Sequence, residues 1–385
     1  MRRRAIVLVV CVALTVALWA LSYWPWFVED VYARRVSFQI SRALSIVTGL
    51  LPVSLAAILI PGVVLYLLVP FILASVRVLR GQRRFLDALR GGAIRTATLG
   101  ALVAAVFYLT WGLNYARAPL QARLGWPGIE RPKDEAAARQ QTDEIATLAA
   151  ELVELTNEHY RAVAGTDDLG HPTSLDASRA VDADFDAAFV RVQRELGLEP
   201  GVAASRGPAK AFPASIILSH LQLTGFFFPW SGEANYNGVA PASSVPLTVA
   251  HEKAHQRGIA PEDEASFVGY LACVLSDDPY ARYSGTLFAQ RQLLAELSGR
   301  DPARAAALVK RRLGGVQRDV RFYLDYWQQF DGVAGRVSHA VNDRYLKSQG
   351  VRAGVQSYAA SRNLLVLFAR QRGGVLRVAP GDGRR

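Results

Sequence analysis

Three long apolar segments lie in the first 117 residues, and each is long enough to cross a hydrocarbon core of about 30 Å. They cover residues 5–24, 46–76 and 96–115. The middle segment contains Pro52, Pro61 and Pro70, which indicates either a kinked span or a span plus a dipping segment. A cleavable signal peptide is the alternative for the first segment, but two further segments follow it and no A-x-A site is evident. The sequence therefore predicts a three-span membrane part within residues 1–117, with the lipid bilayer as its partner.

The basic residues are concentrated in the same part of the chain. Residues 1–117 carry 13 Lys and Arg against 3 Asp and Glu, whereas residues 118–385 carry 31 against 30. A nucleic-acid-binding domain would carry its basic excess on the folded domain, so nucleic acid is excluded as a partner. By the positive-inside rule, arginines at residues 2–4 and six more within residues 77–95 predict that both stretches are cytoplasmic. We therefore expect a multi-pass protein of the bacterial cytoplasmic (inner) membrane, with the carboxy-terminal domain outside.

That second domain, residues 118–385, is predicted to be mainly α-helical with a small β element. Helical periodicity covers residues 134–163, 182–196, 279–297, 302–313, 316–330 and 354–370. Aromatic and β-branched residues predict short strands within residues 212–228, including residues 216–218, and the Gly-, Asn- and Pro-rich residues 229–246 indicate loops and turns. Cys11 lies in a span and Cys273 in the second domain, so no intramolecular disulfide is expected. The oligomeric state is not determined by the sequence.

Residues 251–255 read His-Glu-Lys-Ala-His and carry the clearest chemical signal in the chain. On a helix, His251 and His255 lie one turn apart on the same face, where two imidazoles bind one Zn²⁺. Glu252 is then placed to act as general base towards a water at the open coordination position. Random placement in a chain of this composition gives only about 0.003 such motifs. The alternative is a buried histidine pair without a metal.

A zinc site with two histidines needs a third protein ligand, and three acidic residues follow the motif closely. Gly258 is predicted to end the first helix, and a second helix begins near Pro261 with Glu262, Asp263 and Glu264. Glu262 is the preferred ligand because it shares a face with small residues, which lets the second helix lie against the histidine helix. Glu264 is the alternative ligand. The trio could also simply complement the helix dipole.

Two neighbouring features complete the predicted site. Lys253 lies inside the motif, and we expect its side chain to point away from the metal face towards solvent. Residues 233–237 are predicted to form an extended edge segment beside the metal helix that binds substrate backbone by strand addition, with Glu233 and Asn235 as substrate-binding residues. The alternative for this segment is a plain turn.

Several motifs together resemble a bacterial membrane family of unknown function, domain of unknown function 3810. The resemblance rests on Trp111–Tyr115, Ser231–Asn235, His251–Gln256, Glu262–Ala265, Arg282–Ser284, Val341–Lys347 and Gly354–Tyr358. It implies a soluble part similar to a gluzincin-type zinc metallopeptidase, in which the glutamate of a Glu-x-x-Ala motif is the third ligand. That position matches Glu262. The resemblance implies no particular substrate.

The expected function is that of a membrane-anchored zinc metallopeptidase that cleaves a peptide or protein substrate outside the cytoplasmic membrane. Tyr345, Tyr358 and Arg344 are candidate stabilisers of the oxyanion, and the alternative, a core position, is favoured for each single tyrosine. The alternative is a non-catalytic zincin-fold module that binds a ligand and signals through the spans. A transporter is disfavoured because the spans contain no interior Asp or Glu.

Overall fold

The structure, a computed structural model, describes residues 2–164, 181–349, 351 and 361–378. The chain begins with four helices, α1 (Arg2–Leu21), α2 (Phe38–Gly49), α3 (Ala56–Leu79) and α4 (Phe85–Thr110). Within the described residues, α1, α3 and α4 are the helices long and apolar enough to cross a membrane. Most of their surface is not buried by protein, so their leucine, isoleucine and valine side chains require an apolar surrounding such as a bilayer.

The structure divides the predicted middle segment, residues 46–76, into two elements. The helix breaks after Gly49, and the apolar helix α3 begins at Ala56 with Pro61 and Pro70 inside it. Pro52 lies in this break. The helix cannot continue through it because a proline supplies no backbone N–H for the next helical hydrogen bond. The apolar segment therefore divides into the end of α2 and a separate helix of spanning length.

The connection between the first two apolar helices packs on the carboxy-terminal part of the chain. It comprises a π-helical segment (Phe27–Ser37) and α2. The Ser41 hydroxyl donates to the carbonyl of Gln256 at 2.8 Å, and the Thr48 hydroxyl donates to the carbonyl of Ser231 at 3.2 Å. Thr98 donates to the carbonyl of Arg4 near one end of the pair formed by α1 and α4. The connection and the carboxy-terminal part therefore lie together at the other end of that pair.

Helices dominate the carboxy-terminal part as well. They are α5 (Leu120–Arg123), α6 (Glu135–Ala164), α7 (Val181–Leu196), α8 (Ser215–His220), α9 (Val245–Gln256), α10 (Glu262–Val274), α11 (Pro279–Arg300), α12 (Pro302–Val309), α13 (Gly314–Gln328), α14 (Val333–Ser348) and α15 (Ser361–Gln371). Short 3₁₀ turns cover Gly112–Ala116, Pro200–Ala203 and Ala242–Ser244. The buried face of α6 repeats at three- and four-residue intervals through Ile145, Leu148, Ala149 and Leu152 and packs on α11. The chain is thus mainly helical, as expected.

A three-stranded sheet lies beside α9. Its strands are β1 (Lys210–Ala211), β2 (Gly225–Phe228) and β3 (Glu233–Tyr236), in the order β1-β3-β2, with β1 parallel and β2 antiparallel to β3. The strand expected at residues 216–218 is wrong, because these residues lie in the short helix α8. The prediction for residues 212–228 holds only at β2, and β3 occupies part of the expected loop.

Among the helices, α5 and α14 have no counterpart in the sequence predictions, and residues 354–360 of the predicted last helix lie outside the described residues. Most of the other boundaries in the carboxy-terminal part agree with the predicted ranges within about three residues, whereas α4 begins eleven residues before the predicted third span, residues 96–115, and ends five residues before that span does. The predicted division between residues 1–117 and 118–385 stays a prediction, since elements from both sides of it pack together.

Topology is our first testable prediction. A tag at the carboxy terminus should be cleaved by protease added to intact spheroplasts, and a tag inserted at residues 80–84, between α3 and α4, should be protected until lysis. The reason is the arginine-rich stretch around that turn, which the positive-inside rule places in the cytoplasm. The reverse pattern of protection would contradict the predicted orientation.

Candidate metal centre

The candidate site is built on the helical hairpin of α9 and α10. The turn between them contains Gly258 at φ +84°, a backbone conformation that residues with a Cβ rarely adopt. Further along α10, a Cβ added to Gly269 would lie only 3.0 Å from the backbone nitrogen of His251. The small-residue face predicted for α10 is confirmed at this position. It lets the two helix backbones approach closely enough for the first residue of α10 to face the histidines.

Three potential ligand atoms form a compact triangle in this hairpin. The Nε2 atoms of His251 and His255 are 3.1 Å apart, and Glu262 Oε2 lies 3.1 Å from the first and 3.3 Å from the second. In a tetrahedral zinc site with bonds of about 2.0–2.1 Å, the ligand atoms are about 3.3 Å apart. The residues present therefore fit a tetrahedral metal ion with a fourth position open.

The other ring nitrogens fix the orientation of both imidazoles. His255 Nδ1 donates to the carbonyl of Ile259 at 2.7 Å, so its Nε2 is free to present a lone pair to a metal. His251 Nδ1 lies 3.2 Å from the hydroxyl of Ser266 on α10. Metal-binding histidines in proteins characteristically hold their second nitrogen in this way.

The triangle brings three electron-rich atoms together and therefore requires a positive charge. Burial alone would lower the pKa of His255, but the adjacent Glu262 carboxylate reverses this and raises the pKa to about 9. Burial lowers the pKa of His251, whereas the two histidines hold the pKa of Glu262 well below its usual range despite its burial. A proton on His255 meets the electrostatic need, and so does a metal ion, which displaces that proton when it binds.

Glu252 lies beside the triangle with half of its carboxylate unengaged. One side is held by the backbone N–H of Phe227 on β2. Its Oε2 atom is buried and has no hydrogen-bond partner among the described residues. Burial raises the pKa of Glu252 to about 8. A buried carboxylate oxygen without a partner is unfavourable, so a water or ligand that donates a hydrogen bond to it would be stabilising there.

The structure separates the two candidate third ligands. Glu264 points away from the triangle, accepting a hydrogen bond from the backbone N–H of Leu120 at 2.6 Å and pairing with Arg123 at 3.2 Å. Burial raises its pKa to about 7. Only Glu262 of the two lies at ligand distance from both histidines.

The predicted exposure of Lys253 is wrong. Its side chain points away from the triangle, as expected, but it is completely buried and not solvated. Its Nζ lies 3.5 Å from Asp186 Oδ1 on α7 and 3.5 Å from the carbonyl of Gly207. The cation is therefore compensated inside the protein on the side of α9 opposite the site.

The predicted edge position of residues 233–237 is also wrong, because β3 lies between β1 and β2. The Glu233 carboxylate is buried, pairs with Lys210 at 2.7 Å, and accepts hydrogen bonds from the backbone N–H groups of Leu55 and Ala56. It therefore caps the amino terminus of the apolar helix α3. Asn235 is fully buried in the same strand. Their assignment as substrate-binding residues stays a prediction that the described contacts do not support.

A cavity of about 1130 Å³ opens in front of the triangle. His251, Glu252, His255 and Glu262 line its floor, and Tyr345 of α14 lines its wall and hydrogen bonds to Tyr115. Arg344 is exposed and is not among the lining residues. Tyr358 lies outside the described residues. Of the candidate oxyanion stabilisers, the structure thus brings Tyr345 to the cavity.

Sequence reasoning missed the role of Trp111. Its indole N–H donates to the carbonyl of His255 at 3.1 Å, and its ring packs against the imidazole of His255. Asn114 follows it and donates to Ser37 at 2.9 Å, which joins the end of α4 to the first connection. The motif Trp111–Tyr115 carried the only signal, and it indicated merely the end of a span.

The chain matches one protein-family model over residues 32–366, and the description of that family is Protein of unknown function (DUF3810). Because the match covers most of the chain, the protein belongs to this family. No match was found among curated proteins or among solved structures.

Proposed function

We propose that this member of the family is a membrane-anchored, zinc-dependent metallopeptidase with a zincin-like site, which cleaves peptide bonds outside the cytoplasmic membrane. The single observation that carries the proposal is the triangle of His251, His255 and Glu262, whose 3.1–3.3 Å edges suit a tetrahedral ion. The unpartnered Oε2 atom of Glu252 beside it supports a catalytic role, since a purely structural site needs ligands alone.

In this proposal His251, His255 and Glu262 hold Zn²⁺, which would supply Lewis acidity towards water and a carbonyl. Glu252 accepts the proton of the attacking water at its free Oε2 atom and afterwards delivers it to the leaving amine. The N–H of Phe227 orients this carboxylate from the other side. The Tyr345 hydroxyl, on the cavity wall, is the described candidate to donate to the developing oxyanion.

We infer that substrate backbone binds along β2 and not along residues 233–237. Residues of β2 line the cavity, and within the described residues no strand pairs with its second edge. Apart from the Phe227 N–H, which Glu252 holds, this edge presents backbone N–H and C=O groups at the spacing of an extended peptide. The substrate is therefore proposed to lie along β2, next to Glu252.

The experiment on this proposal is metal analysis joined to a digestion assay. The full-length protein, purified in detergent without chelator, should contain about one zinc per chain and should cleave members of a mixed peptide library. Removing zinc with a chelator should stop cleavage, and adding zinc should restore it. The full chain is required because Ser41 and Trp111 hold backbone carbonyls of the metal helix and its end. Metal content near zero, with no uptake of added zinc, would exclude the site.

A second candidate is a zinc-dependent binding module that signals through the spans. Two contacts between the carboxy-terminal part and the apolar helices favour it. Trp111, at the end of α4, donates to the carbonyl of His255, and Glu233 accepts hydrogen bonds from the backbone at the start of α3. Zinc binding without hydrolysis of any peptide in the library would support this module in place of the peptidase.

A further inference from the structure

We propose that the substrate of this site is a polypeptide anchored in the membrane, whose apolar segment lies along α4 and enters the cavity sideways from the bilayer. This inference rests on the proposed peptidase function and adds a substrate class to it. It is carried by three features of the structure, namely the wall of the cavity, the depth of the β2–β3 turn, and an exposed apolar stripe on α14.

One wall of the cavity is the side of a spanning helix. Residues from Gly100 of α4 to Trp111, which follows the last residue of α4, line it, including Val103, Ala104 and Phe107. The eleven steps from Gly100 to Trp111 correspond to about 16 Å along the helix axis, or half of a hydrocarbon core. The cavity therefore runs from the histidines along a surface that otherwise faces lipid.

The turn between β2 and β3 contacts α4 at the same level along the helix as the cavity wall. The indole N–H of Trp230 donates to the backbone carbonyl of Val103 at 3.1 Å. Val103 precedes Trp111 by eight residues, about 12 Å along the helix. The strand that flanks the site thus ends against the side of the span, well away from the end of α4 that carries Trp111.

The opposite wall comes from α14, which is apolar where an ordinary soluble helix would be polar. Val333, Val337 and Val341 recur every four residues and are 68%, 55% and 61% exposed. Val337 and Val341 line the cavity, and the stripe ends at Tyr345, which packs against Phe107 of α4. Such a continuous exposed stripe marks a binding surface for an apolar partner.

The free edge of β2 selects a polypeptide over a lipid as the occupant. An extended peptide forms hydrogen bonds with the backbone groups of that edge other than the Phe227 N–H, which Glu252 holds, whereas an acyl chain offers no hydrogen-bonding groups. The continuity of the cavity with the lipid-facing side of α4 selects a polypeptide that already lies in the bilayer. A polypeptide meets both requirements when its apolar segment lies in the bilayer along α4 and the following residues extend along β2 at the site.

The test compares two forms of one randomised peptide library with the full-length protein in phosphatidylcholine vesicles. One form is free in water, and the other is joined to a polyleucine helix of about 20 residues that spans the bilayer. We expect Ala104→Trp to lower cleavage of the anchored form at least about tenfold more than cleavage of the free form. The tryptophan side chain would occupy the part of the cavity beside α4 in which the apolar segment is proposed to lie. Anchoring raises the local substrate concentration equally for the variant and the wild type. The ratio of their cleavage rates is therefore independent of this increase.

The matched control is Leu102→Trp, which places the same side chain at the same depth on an exposed position outside the cavity lining. It should leave cleavage of both forms at the wild-type rate. Gly100→Leu is a milder second variant, since a Cβ there would have nothing within 4 Å, and it should act in the same direction as Ala104→Trp.

Equal effects of Ala104→Trp on the two forms would overturn the inference and leave the peptidase function standing. Hydrolysis of the vesicle lipid without cleavage of the anchored peptides would overturn it in favour of a lipid substrate. Cleavage of neither form by the wild-type protein would overturn the proposed function and this inference with it.

Discussion

Replacement of Glu252 by Gln should reduce peptide hydrolysis by a factor of about 10² to 10⁴, the usual contribution of a general base. The amide has nearly the same shape, and its oxygen still accepts the hydrogen bond from the N–H of Phe227. It cannot accept a proton from water at the position of the free Oε2 atom. The rate of cleavage by equal amounts of zinc-loaded wild type and variant measures this effect.

Two controls separate loss of chemistry from loss of structure. The Glu252→Gln variant should keep the wild-type zinc content, because Glu252 is not part of the ligand triangle. Glu264→Gln changes another buried glutamate in the same helical hairpin, and we expect it to hydrolyse peptides like the wild type. Undiminished hydrolysis by Glu252→Gln would show that another group takes the proton.

The second large effect is expected on metal affinity. Glu262→Ala should weaken zinc binding by more than about a hundredfold, because loss of a supporting group around a metal ligand already costs 10- to 100-fold and this change removes a ligand itself. The variant retains two imidazoles 3.1 Å apart and no anionic ligand. Competition with a chromophoric chelator, using the full-length protein in detergent, measures the change.

Here too Glu264→Gln is the control, since its amide oxygen still accepts from Leu120 and its side chain does not face the histidines. It should bind zinc with nearly wild-type affinity. Were Glu264→Gln to lose zinc while Glu262→Ala retained it, the assignment of the third ligand would be reversed.

The apolar spans and the histidine pair were predictable because both depend on local pattern. Helix length follows from a run of apolar residues, and a spacing of four residues places His251 and His255 on one face whatever surrounds them. The face of α10 that packs on α9 was also predictable, because small residues on a helix allow a close approach of a second helix. The close contact at Gly269 confirms that argument.

Other features had no local signal. The burial of Lys253 depends on Asp186, which lies 67 residues earlier in the chain and is positioned by the packing of α7. The inner position of β3 depends on β1, a strand of only two residues. The residues around Ile216 carry a strand-like composition, yet they form the short helix α8, because local propensity is weak against tertiary packing.

By itself, then, the sequence determined which segments suit a bilayer, which helix carries the two histidines, and which glutamate shares a face with small residues. The tertiary structure alone decided that the ligand atoms meet within 3.3 Å, that β2 is the edge strand at the cavity, and that the cavity runs along α4. The physical reason is one of range. Periodicity and helix length act over a few residues, whereas the site and its cavity are assembled from segments more than one hundred residues apart.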